Sequence, residues 1–424
     1  MDPARLSERS RGLAASSERS AGARTPRCQI CSSSSLVPGL DLGHQPVGDL
    51  ILSQAQLNEP ETFYPMQLFQ CLDCGLCQLG YTVDPAIVYR DFPFVSGTTQ
   101  TATRHLQDLA RQAAERLRLD ASSFAVDVGS NDGTLLKGYV PFGVKILGVD
   151  PSALPVAIAN REGIPTWHAY FNEETAGRIL EAHGQADAIS AAGCFAHIAD
   201  LNGVMLGVTA LLKPRGMFVT DNQYWLDILQ RRHYDNVFHQ HLRNYSLKPL
   251  IRLFDGYDMD VFDVERSEVY GGSIRVFSCH RGAYPRSARL EELLALEQQE
   301  GLYERSTFEQ FAAAVAEKKR TLFDAVYQRV TSGQKVIGIG APAKASTVCN
   351  FCGLSRGLIA YVTEVNPLRV GKFLPGVHIP IVDEAFMFED PRPADAGVLF
   401  AWNYYDEIVP KLRARGFQGD VLCP

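Results

Sequence analysis

The chain has 424 residues, of which 46% are hydrophobic and 21% are charged, values typical of a globular protein long enough for two or three domains. Its net charge of −7 argues against nucleic acid or an anionic membrane as the main partner. No apolar run approaches the roughly 20 residues that span a bilayer. We therefore expect a cytoplasmic protein, monomeric or homodimeric, that binds no membrane.

The first 27 residues are rich in arginine and serine and contain no apolar stretch of the kind that secretory signals carry. We expect residues 1–27 to be a disordered tail or the product of a start codon assigned too early; a transit peptide is the alternative. Without a secretory signal, the ten cysteines of the chain are expected to be reduced thiols rather than disulfides.

Two C-x-x-C pairs, Cys28 with Cys31 and Cys71 with Cys74, lie in the next segment, which is rich in turn residues. Each pair can direct two thiolates at one point, and together they provide the tetrahedral sulfur ligands that suit zinc. Four protein ligands leave no open coordination position. We therefore predict a structural zinc module over residues 28–95, with an iron–sulfur cluster as the smaller alternative. Cys77 is out of register and is not predicted to be a ligand.

Strand-like and helix-like patterns alternate from residue 96 to 284. Four runs are typical of buried strands, namely "FAVDVG", "VKILGVD", "ADAISAAG" and "GMFVTDN". This alternation predicts an α/β fold with a doubly wound parallel sheet. Residues 285–330 are charged and predicted to form a helical connector. A second strand–loop–helix series predicts a C-terminal Rossmann-like domain over residues 331–424.

The first of these strands leads into a glycine loop, "AVDVGSNDGTLL". Small residues there let a ligand approach the backbone at the start of a helix. The leading acid of D-x-G-x-x-x-G suits an ammonium-bearing ligand such as S-adenosylmethionine, and an acid about 20 residues farther on can accept ribose hydroxyls. We predict a class I methyltransferase domain; a nicotinamide-binding domain, or a fold that has lost its ligand, is the alternative. The predicted cofactor-binding residues are Asp127, Gly129, Ser130, Asn131, Gly133, Asp150 and Pro151.

Three histidines and one glutamine, Gln240, are candidate catalytic residues. His197 follows the fourth strand, where a class I methyltransferase borders the transferred methyl group, so it either faces substrate or caps a helix start. His239 and His241 flank Gln240 in "YDNVFHQHLRNYS". In a strand these two imidazoles would share one face. They are catalytic, metal-binding or packed, and no third metal ligand is evident.

A second glycine loop, "KVIGIGAPAKAS", matches G-x-G-x-x-A through Gly338, Gly340 and Ala343. Glu364 ends the following strand at the distance of a ribose-binding acid. The loop either binds a nucleotide or serves strand–helix packing; an NAD-linked oxidoreductase is the weakest functional reading. Arg275, in "GGSIRVF", is a candidate partner for a diphosphate.

Together the motifs resemble a known family, the sugar C-methyltransferases that act on carbon 3 of dTDP-4-keto deoxysugars in antibiotic pathways. The resemblance covers the chain from Cys28 onward and rests on the cysteine pairs, the first glycine loop, the histidine-rich stretch and four further motifs, "LDLGHQPVGD", "GGSIRVF", "GIGAPAKASTVCNFCG" and "NPLRVGKFLPGVHIPI". It implies zinc, S-adenosylmethionine and a nucleotide-sugar or related small-molecule substrate held partly by the C-terminal domain. The implied substrate-binding residues are Arg275, Lys344, Ser346 and Asn350.

The resemblance also implies a mechanism. A base removes the proton next to the 4-ketone, hydrogen-bond donors hold the enolate, and the carbanion attacks the methyl group of the sulfonium. The family pattern Tyr-His-Glu-His places a candidate base on His241. His239 is more simply explained as a supporting residue.

The chain departs from this family pattern on the acceptor side. Gln240 stands where the family has glutamate, Phe238 replaces a tyrosine, and "DFPFVS" supplies Phe92 and Phe94 where the family has phenols. A glutamine cannot take a proton, and phenylalanine cannot donate to an oxyanion. From the resemblance we expect C-methylation of a keto sugar or a similar metabolite, although the missing carboxylate and phenols favour the alternatives. The alternatives are transfer to oxygen, nitrogen or a non-sugar carbon, or a family member without activity.

Overall fold

The computed structural model describes residues 26–89 and 95–424, which form three β-sheets of four, seven and five strands. The predicted tail, except for its last two residues, lies outside these ranges, as do Phe92 and Phe94. Among the described residues, no helix is long and apolar enough to cross a bilayer.

The N-terminal module is an antiparallel sheet. It contains β1 (Leu36–Gln45), β2 (Tyr64–Cys71), β3 (Cys77–Leu79) and the short helix α1 (Pro85–Val88). In the β1–β2 register, Leu36 lies opposite Cys71. The start of β1 therefore meets the end of β2, and this pairing brings the first cysteine pair to the second across about 40 residues of chain.

The central module is a seven-stranded sheet with helices on both faces. Its elements are α2 (Gln100–Leu117), β4 (Phe124–Val128), β5 (Lys145–Asp150), α3 (Ala153–Arg161), β6 (Thr166–His168), α4 (Glu173–His183), β7 (Ala186–Ala192), α5 (Leu201–Leu211), β8 (Leu212–Gln223), α6 (Trp225–Arg231), β9 (Arg243–Asn244), α7 (Leu247–Asp255), β10 (Met259–Ser267) and β11 (Ser273–His280). The strand order is β10-β11-β8-β7-β4-β5-β6, and β11 is antiparallel to its neighbours. The parallel strands from β8 to β6 confirm the predicted doubly wound sheet.

Strand β9 belongs to a different sheet from the elements around it. It pairs with β3 of the N-terminal module, Cys77 opposite Asn244. The histidine-rich stretch therefore passes from the central module to the N-terminal sheet, and its ends are held by both.

The remaining chain contains two long helices and a parallel sheet. The elements are α8 (Ala288–Gln299), α9 (Arg305–Thr331), β12 (Val336–Ile339), α10 (Ala343–Cys352), β13 (Val362–Glu364), β14 (Ile381–Asp383), α11 (Phe386–Glu389), β15 (Ala396–Leu399), α12 (Tyr405–Ala414) and β16 (Asp420–Leu422). The order β14-β13-β12-β15-β16, parallel throughout, is Rossmann-like. Short 3₁₀ helices lie elsewhere, at Ala55–Asn58, Ser96–Thr98, Leu136–Phe142, Phe195–His197, Tyr234–Asn236, Val269–Gly271 and Trp402–Tyr404.

One hydrophobic core joins the three modules. It includes Leu68 of the N-terminal sheet, Trp225 of the central module and Val348 of the C-terminal domain, all fully or almost fully buried. Buried Glu297 of α8 strengthens the junction, since it accepts hydrogen bonds from the Tyr224 hydroxyl (2.9 Å) and the Leu247 backbone N–H (2.7 Å). The modules are thus packed as one body around the space between them.

Candidate active site and metal centre

The four predicted metal ligands form one cluster. The Sγ atoms of Cys28, Cys31, Cys71 and Cys74 all lie within 4.8 Å of one another, and the closest pair, Cys28 and Cys74, is 3.4 Å apart. A tetrahedral zinc with bonds of about 2.3 Å requires sulfur separations of about 3.8 Å. The cluster therefore fits zinc, with all four positions supplied by protein. Buried Cys77 is not part of it.

A cavity of about 750 Å³ lies where the three modules meet. Its walls include Asp49 of the N-terminal module, the loops that follow β4, β5 and β7, the histidine-rich stretch, and the start of α10. In an open parallel sheet, ligands bind at the carboxyl ends of the strands. The cavity occupies that position for the central sheet and is closed by the other two modules.

The first glycine loop forms one end of this cavity. Gly129 has φ of +66°, and a Cβ placed there would lie 2.7 Å from the Cβ of Cys194. Asn131 also has positive φ, at 52°, and donates its backbone N–H to Asp150 (2.9 Å). The second Asp150 oxygen accepts from the Ser152 backbone (2.7 Å), and each carboxylate oxygen keeps a further lone pair for a ribose hydroxyl.

Four of the predicted cofactor-binding residues line the cavity, namely Gly129, Asn131, Asp150 and Pro151. Three do not. Asp127 is buried behind the loop, where it accepts from the Ser190 hydroxyl (2.6 Å), and burial raises its pKa to about 7. Ser130 packs against the backbone of β5 at Gly148, and Gly133 packs against Ile164. These three shape the loop. A bare glycine cradle bordered by a ribose-binding acid fits S-adenosylmethionine.

His241 lies in the cavity wall with one ring nitrogen already engaged. Its Nδ1 is 2.6 Å from the carbonyl oxygen of Asn236. A carbonyl can only accept, so Nδ1 carries the proton and Nε2 is the basic nitrogen. The ring stacks against Phe238 (centroids 3.9 Å apart) and His197 (5.0 Å). Burial lowers the pKa of His241 to about 4, so the ring is neutral at pH 7.

The structure separates the two neighbouring histidines. Residues 238–241 form a turn, closed by the His241 N–H on the Phe238 carbonyl (2.9 Å), and not the strand that would place both rings on one face. His239 points away from the cavity, with Nε2 3.3 Å from the Tyr64 carbonyl oxygen. His197 does line the cavity, and burial, with His241 beside it, lowers its pKa well below the usual value.

The predicted substrate-binding residues also divide into those that line the cavity and those that do not. Lys344 lines the cavity; its ammonium lies 3.2 Å from Asp235 and 4.0 Å from the Trp402 ring centroid. Arg275 lies outside the wall, bonded to Asp221 (3.0 Å), Asp108 (3.2 Å) and the His105 carbonyl. Those bonds hold the guanidinium inside the fold, so it is not available for the expected contact with a diphosphate.

Ser346 and Asn350 also lie away from the cavity. Both donate to the carbonyl oxygen of Pro375, at 3.2 Å and 3.0 Å respectively. In the second glycine loop, Glu364 accepts the Ala341 N–H (2.9 Å), so this acid stabilises the loop itself. The loop still contributes to the site, because Pro342, Ala343 and Lys344 at the start of α10 face the cavity.

The cavity residues that sequence reasoning missed include Asp49, Arg369, Asn222 and Asn244. Asp49 and Arg369 form an ion pair (2.6 Å) between the N-terminal and C-terminal modules. Asn222, at the end of β8, has no partner for either polar side-chain atom within residues 26–89 and 95–424, and Asn244 has none for its amide nitrogen. Asp49 and Arg369 lie in motifs on which the family resemblance rests, and those motifs could have identified them as site residues. No sequence pattern identified Asn222 or Asn244.

Comparisons with known proteins agree with this geometry. A C-methyltransferase C-terminal domain family matches residues 268–423, a zinc-binding domain family residues 28–89, and a methyltransferase domain family residues 102–264. The C-methyltransferase NovU of Streptomyces niveus is 31% identical over 388 residues, which cover 90% of this chain and 91% of that protein. The chain belongs to this C-methyltransferase family.

Other similarities cover smaller parts of the chain. A ubiquinone biosynthesis O-methyltransferase of Rhodopseudomonas palustris is 24% identical over 24% of this chain and 40% of that protein. Among solved structures, an S-adenosylmethionine-dependent methyltransferase from Clostridium acetobutylicum matches 42% of this chain and 92% of its own, with 13% identity and a TM-score of 0.35.

Family membership confirms several predictions. This C-methyltransferase is an enzyme that uses S-adenosylmethionine and carries zinc in its N-terminal module. Membership favours carbon as the methylated atom over the oxygen and nitrogen alternatives, and methyl transfer over nicotinamide-linked chemistry.

Proposed function

We propose that the enzyme methylates the carbon next to the ketone of a nucleotide-activated keto sugar or a similar metabolite, with His241 as the base. The observation that carries this proposal is the state of His241. Its Nδ1–H is bonded to Asn236 at 2.6 Å, which leaves Nε2 as a proton acceptor in the same cavity as the Gly129 loop and Asp150.

Gly129, Asn131, Asp150 and Pro151 would hold S-adenosylmethionine, which supplies an electrophilic methyl group when it is bound. His241 takes the proton from the substrate carbon at Nε2, and the electron pair of the broken C–H bond moves into the enolate. A neutral imidazole is required for this step, and the burial that lowers the His241 pKa to about 4 keeps it neutral. In the imidazolium that results, the hydrogen bond from Nδ1–H to the Asn236 carbonyl oxygen becomes a stronger, charge-assisted bond.

The enolate oxygen needs hydrogen-bond donors, and the Phe238 side chain beside His241 cannot supply one. Asn222 and Asn244 support an alternative source. Both line the cavity, both are nearly fully buried, and their amide nitrogens lack partners in the described part of the chain. A buried amide left without a bond costs about 1–3 kcal/mol. We assign these amides to the polar atoms of the substrate, the enolate oxygen among them.

The start of α10 supports a phosphorylated substrate. Lys344 is buried there with its ammonium near Asp235, and the helix amino terminus faces the same cavity. Helix amino termini and buried lysines both favour phosphate. The C-terminal domain would hold the nucleotide part while the central module holds the sugar.

Incubation with methyl-labelled S-adenosylmethionine and dTDP-4-keto-6-deoxyglucose tests the proposal. We expect label on the carbon next to the ketone, and exchange of that carbon's proton with deuterated water when S-adenosylhomocysteine replaces the donor. His241→Gln should abolish both signals. His239→Gln is the matched control, since that neighbouring ring lies outside the cavity and should retain both. Label on oxygen or nitrogen, or exchange that survives His241→Gln, would refute the proposed chemistry.

A further inference from the structure

Gln240, a buried residue of the cavity wall, contacts a carboxylate. Its Nε2 donates to Asp49 Oδ2 at 2.9 Å. The loop of Asp49 comes close because Gly48 precedes it; a Cβ on Gly48 would lie 2.3 Å from the Ala343 carbonyl oxygen. The N-terminal module thereby brings a carboxylate against the buried Gln240 amide.

Asp49 is held from its other side by the C-terminal domain. Arg369 donates Nη2 to Asp49 Oδ1 (2.6 Å) and Nη1 to the Ala341 carbonyl (2.8 Å), and both members of the ion pair are more than nine-tenths buried. A carboxylate paired in this way only accepts hydrogen bonds. Gln240 must therefore turn its NH₂ group toward Asp49, since the opposite rotamer would place two acceptors in contact.

This constraint determines what Gln240 offers on its other side. The side chain is 2% exposed, and its Oε1 has no partner in residues 26–89 or 95–424. Gln240 and Asp49 both line the cavity. An amide in water can rotate to present either a donor or an acceptor, but the hydrogen bond to Asp49 fixes the Gln240 amide in one orientation.

We propose that Gln240, oriented by Asp49 and Arg369, is a specificity residue that accepts a hydrogen bond from a ring hydroxyl of the substrate. The proposal rests on the keto-sugar function above and deepens it. Gln240 then favours substrates that carry a hydroxyl donor at this point and disfavours analogues that lack that hydroxyl. A glutamate at position 240 would lie against Asp49 as a second carboxylate, so the glutamine leaves the ion pair with Arg369 undisturbed.

A first experiment tests the orientation without any sugar. The side-chain amide resonance of Gln240, assigned by its loss in Gln240→Met, should shift when Asp49→Asn is introduced. The amide of exposed Gln230, which donates to Glu300 at 2.8 Å, serves as a control and should not move. An unchanged Gln240 resonance in Asp49→Asn would show that Asp49 does not orient it and would overturn the proposal.

A second experiment measures selectivity by calorimetry in the presence of S-adenosylhomocysteine. The probes are dTDP-4-keto-6-deoxyglucose and its 2-deoxy and 3-deoxy analogues. In the wild type, one analogue should bind about fivefold to tenfold more weakly than the parent, the loss expected for one buried hydrogen bond. The difference should fall below about twofold in Gln240→Met. The exchanged pair Asp49→Asn with Gln240→Glu keeps an acceptor at position 240 and should retain the difference in affinity between the parent and the analogue.

The outcomes separate the two proposals. Equal binding of all three probes to the wild type, or selectivity that survives Gln240→Met, would refute the specificity role while leaving the keto-sugar function intact. If the parent sugar nucleotide does not bind at all, the substrate class is refuted, and so is the proposed contact between Gln240 and a substrate hydroxyl. This holds even if Asp49→Asn still shifts the Gln240 amide resonance. Should Gln240→Met not fold, the exchanged pair and Asp49→Asn decide the question, because only the exchanged pair should remain selective.

Discussion

Gly129→Ala tests whether the glycine loop is the cofactor cradle. The new Cβ would lie 2.7 Å from the Cβ of Cys194 and 2.8 Å from its Sγ, several tenths of an ångström inside ordinary contact. The positive φ of 66° adds roughly 1–2 kcal/mol of backbone strain for a residue with a side chain. The loop must therefore move away from β7, and we expect affinity for S-adenosylhomocysteine, measured by calorimetry, to fall at least about tenfold.

Gly163→Ala is the matched control. Gly163 has φ of +81°, but a Cβ there meets no atom within 4 Å. The two variants should lose similar stability from strain, about 1–2 kcal/mol in urea unfolding, yet only Gly129→Ala should lose affinity. Adding Cys194→Gly removes both clashing atoms and should restore most of the binding. Wild-type affinity in Gly129→Ala, or no recovery in the double variant, would refute the assignment of this loop as the cradle.

Three further predictions concern the structure around the site. Cys74→Ser should lose zinc and lower the melting temperature, whereas Cys77→Ser should keep one zinc per chain by atomic absorption, because the Cys77 sulfur is outside the cluster. Burial lowers the pKa of His239 from 6.5 to about 4, so the folded state resists protonation and loses stability as pH falls below about 6.5. At pH 5, His239→Gln should avoid about 2 kcal/mol of that loss, measured by urea unfolding. Equal pH dependence of the two proteins would contradict the burial of this ring. Glu297→Gln should cost about 1–3 kcal/mol. The amide oxygen still accepts from the Tyr224 hydroxyl and the Leu247 N–H, but the amide nitrogen then lies where the other carboxylate oxygen accepts from the Tyr303 hydroxyl and the Lys248 N–H. An unchanged unfolding midpoint would show that this second set of bonds does not stabilise the junction.

The sequence predicted the fold where local pattern and topology coincide. The two C-x-x-C pairs needed only the antiparallel pairing of β1 with β2 to meet, and the structure provides it. The glycine loop and Asp150 follow neighbouring parallel strands, whose carboxyl ends lie at one edge of the sheet. Both sites lie on strands that follow one another in the chain, and consecutive strands usually lie side by side in a sheet.

Side-chain direction could not be predicted in the same way. His239 and His241 would share a face in a strand, but the turn at 238–241 separates them. Arg275 carries a chemistry suited to phosphate, yet Asp221 and Asp108 lie across the sheet and hold it. Whether a polar residue serves the fold or the ligand depends on partners distant in sequence, and those partners carry no local signature.

The zinc ligands and the cofactor loop were predicted from short sequence patterns, because each depends on spacing within one or two adjacent elements. The family and the candidate base His241 were predicted from the resemblance. The tertiary structure alone decided which side chains share the cavity. It brought Asp49, Gln240 and Arg369 together from three modules, across 191 and 320 residues of chain from Asp49. The physical reason is that a carboxylate acquires its role from the donors packed around it, and that packing is settled only when the three modules close on one another.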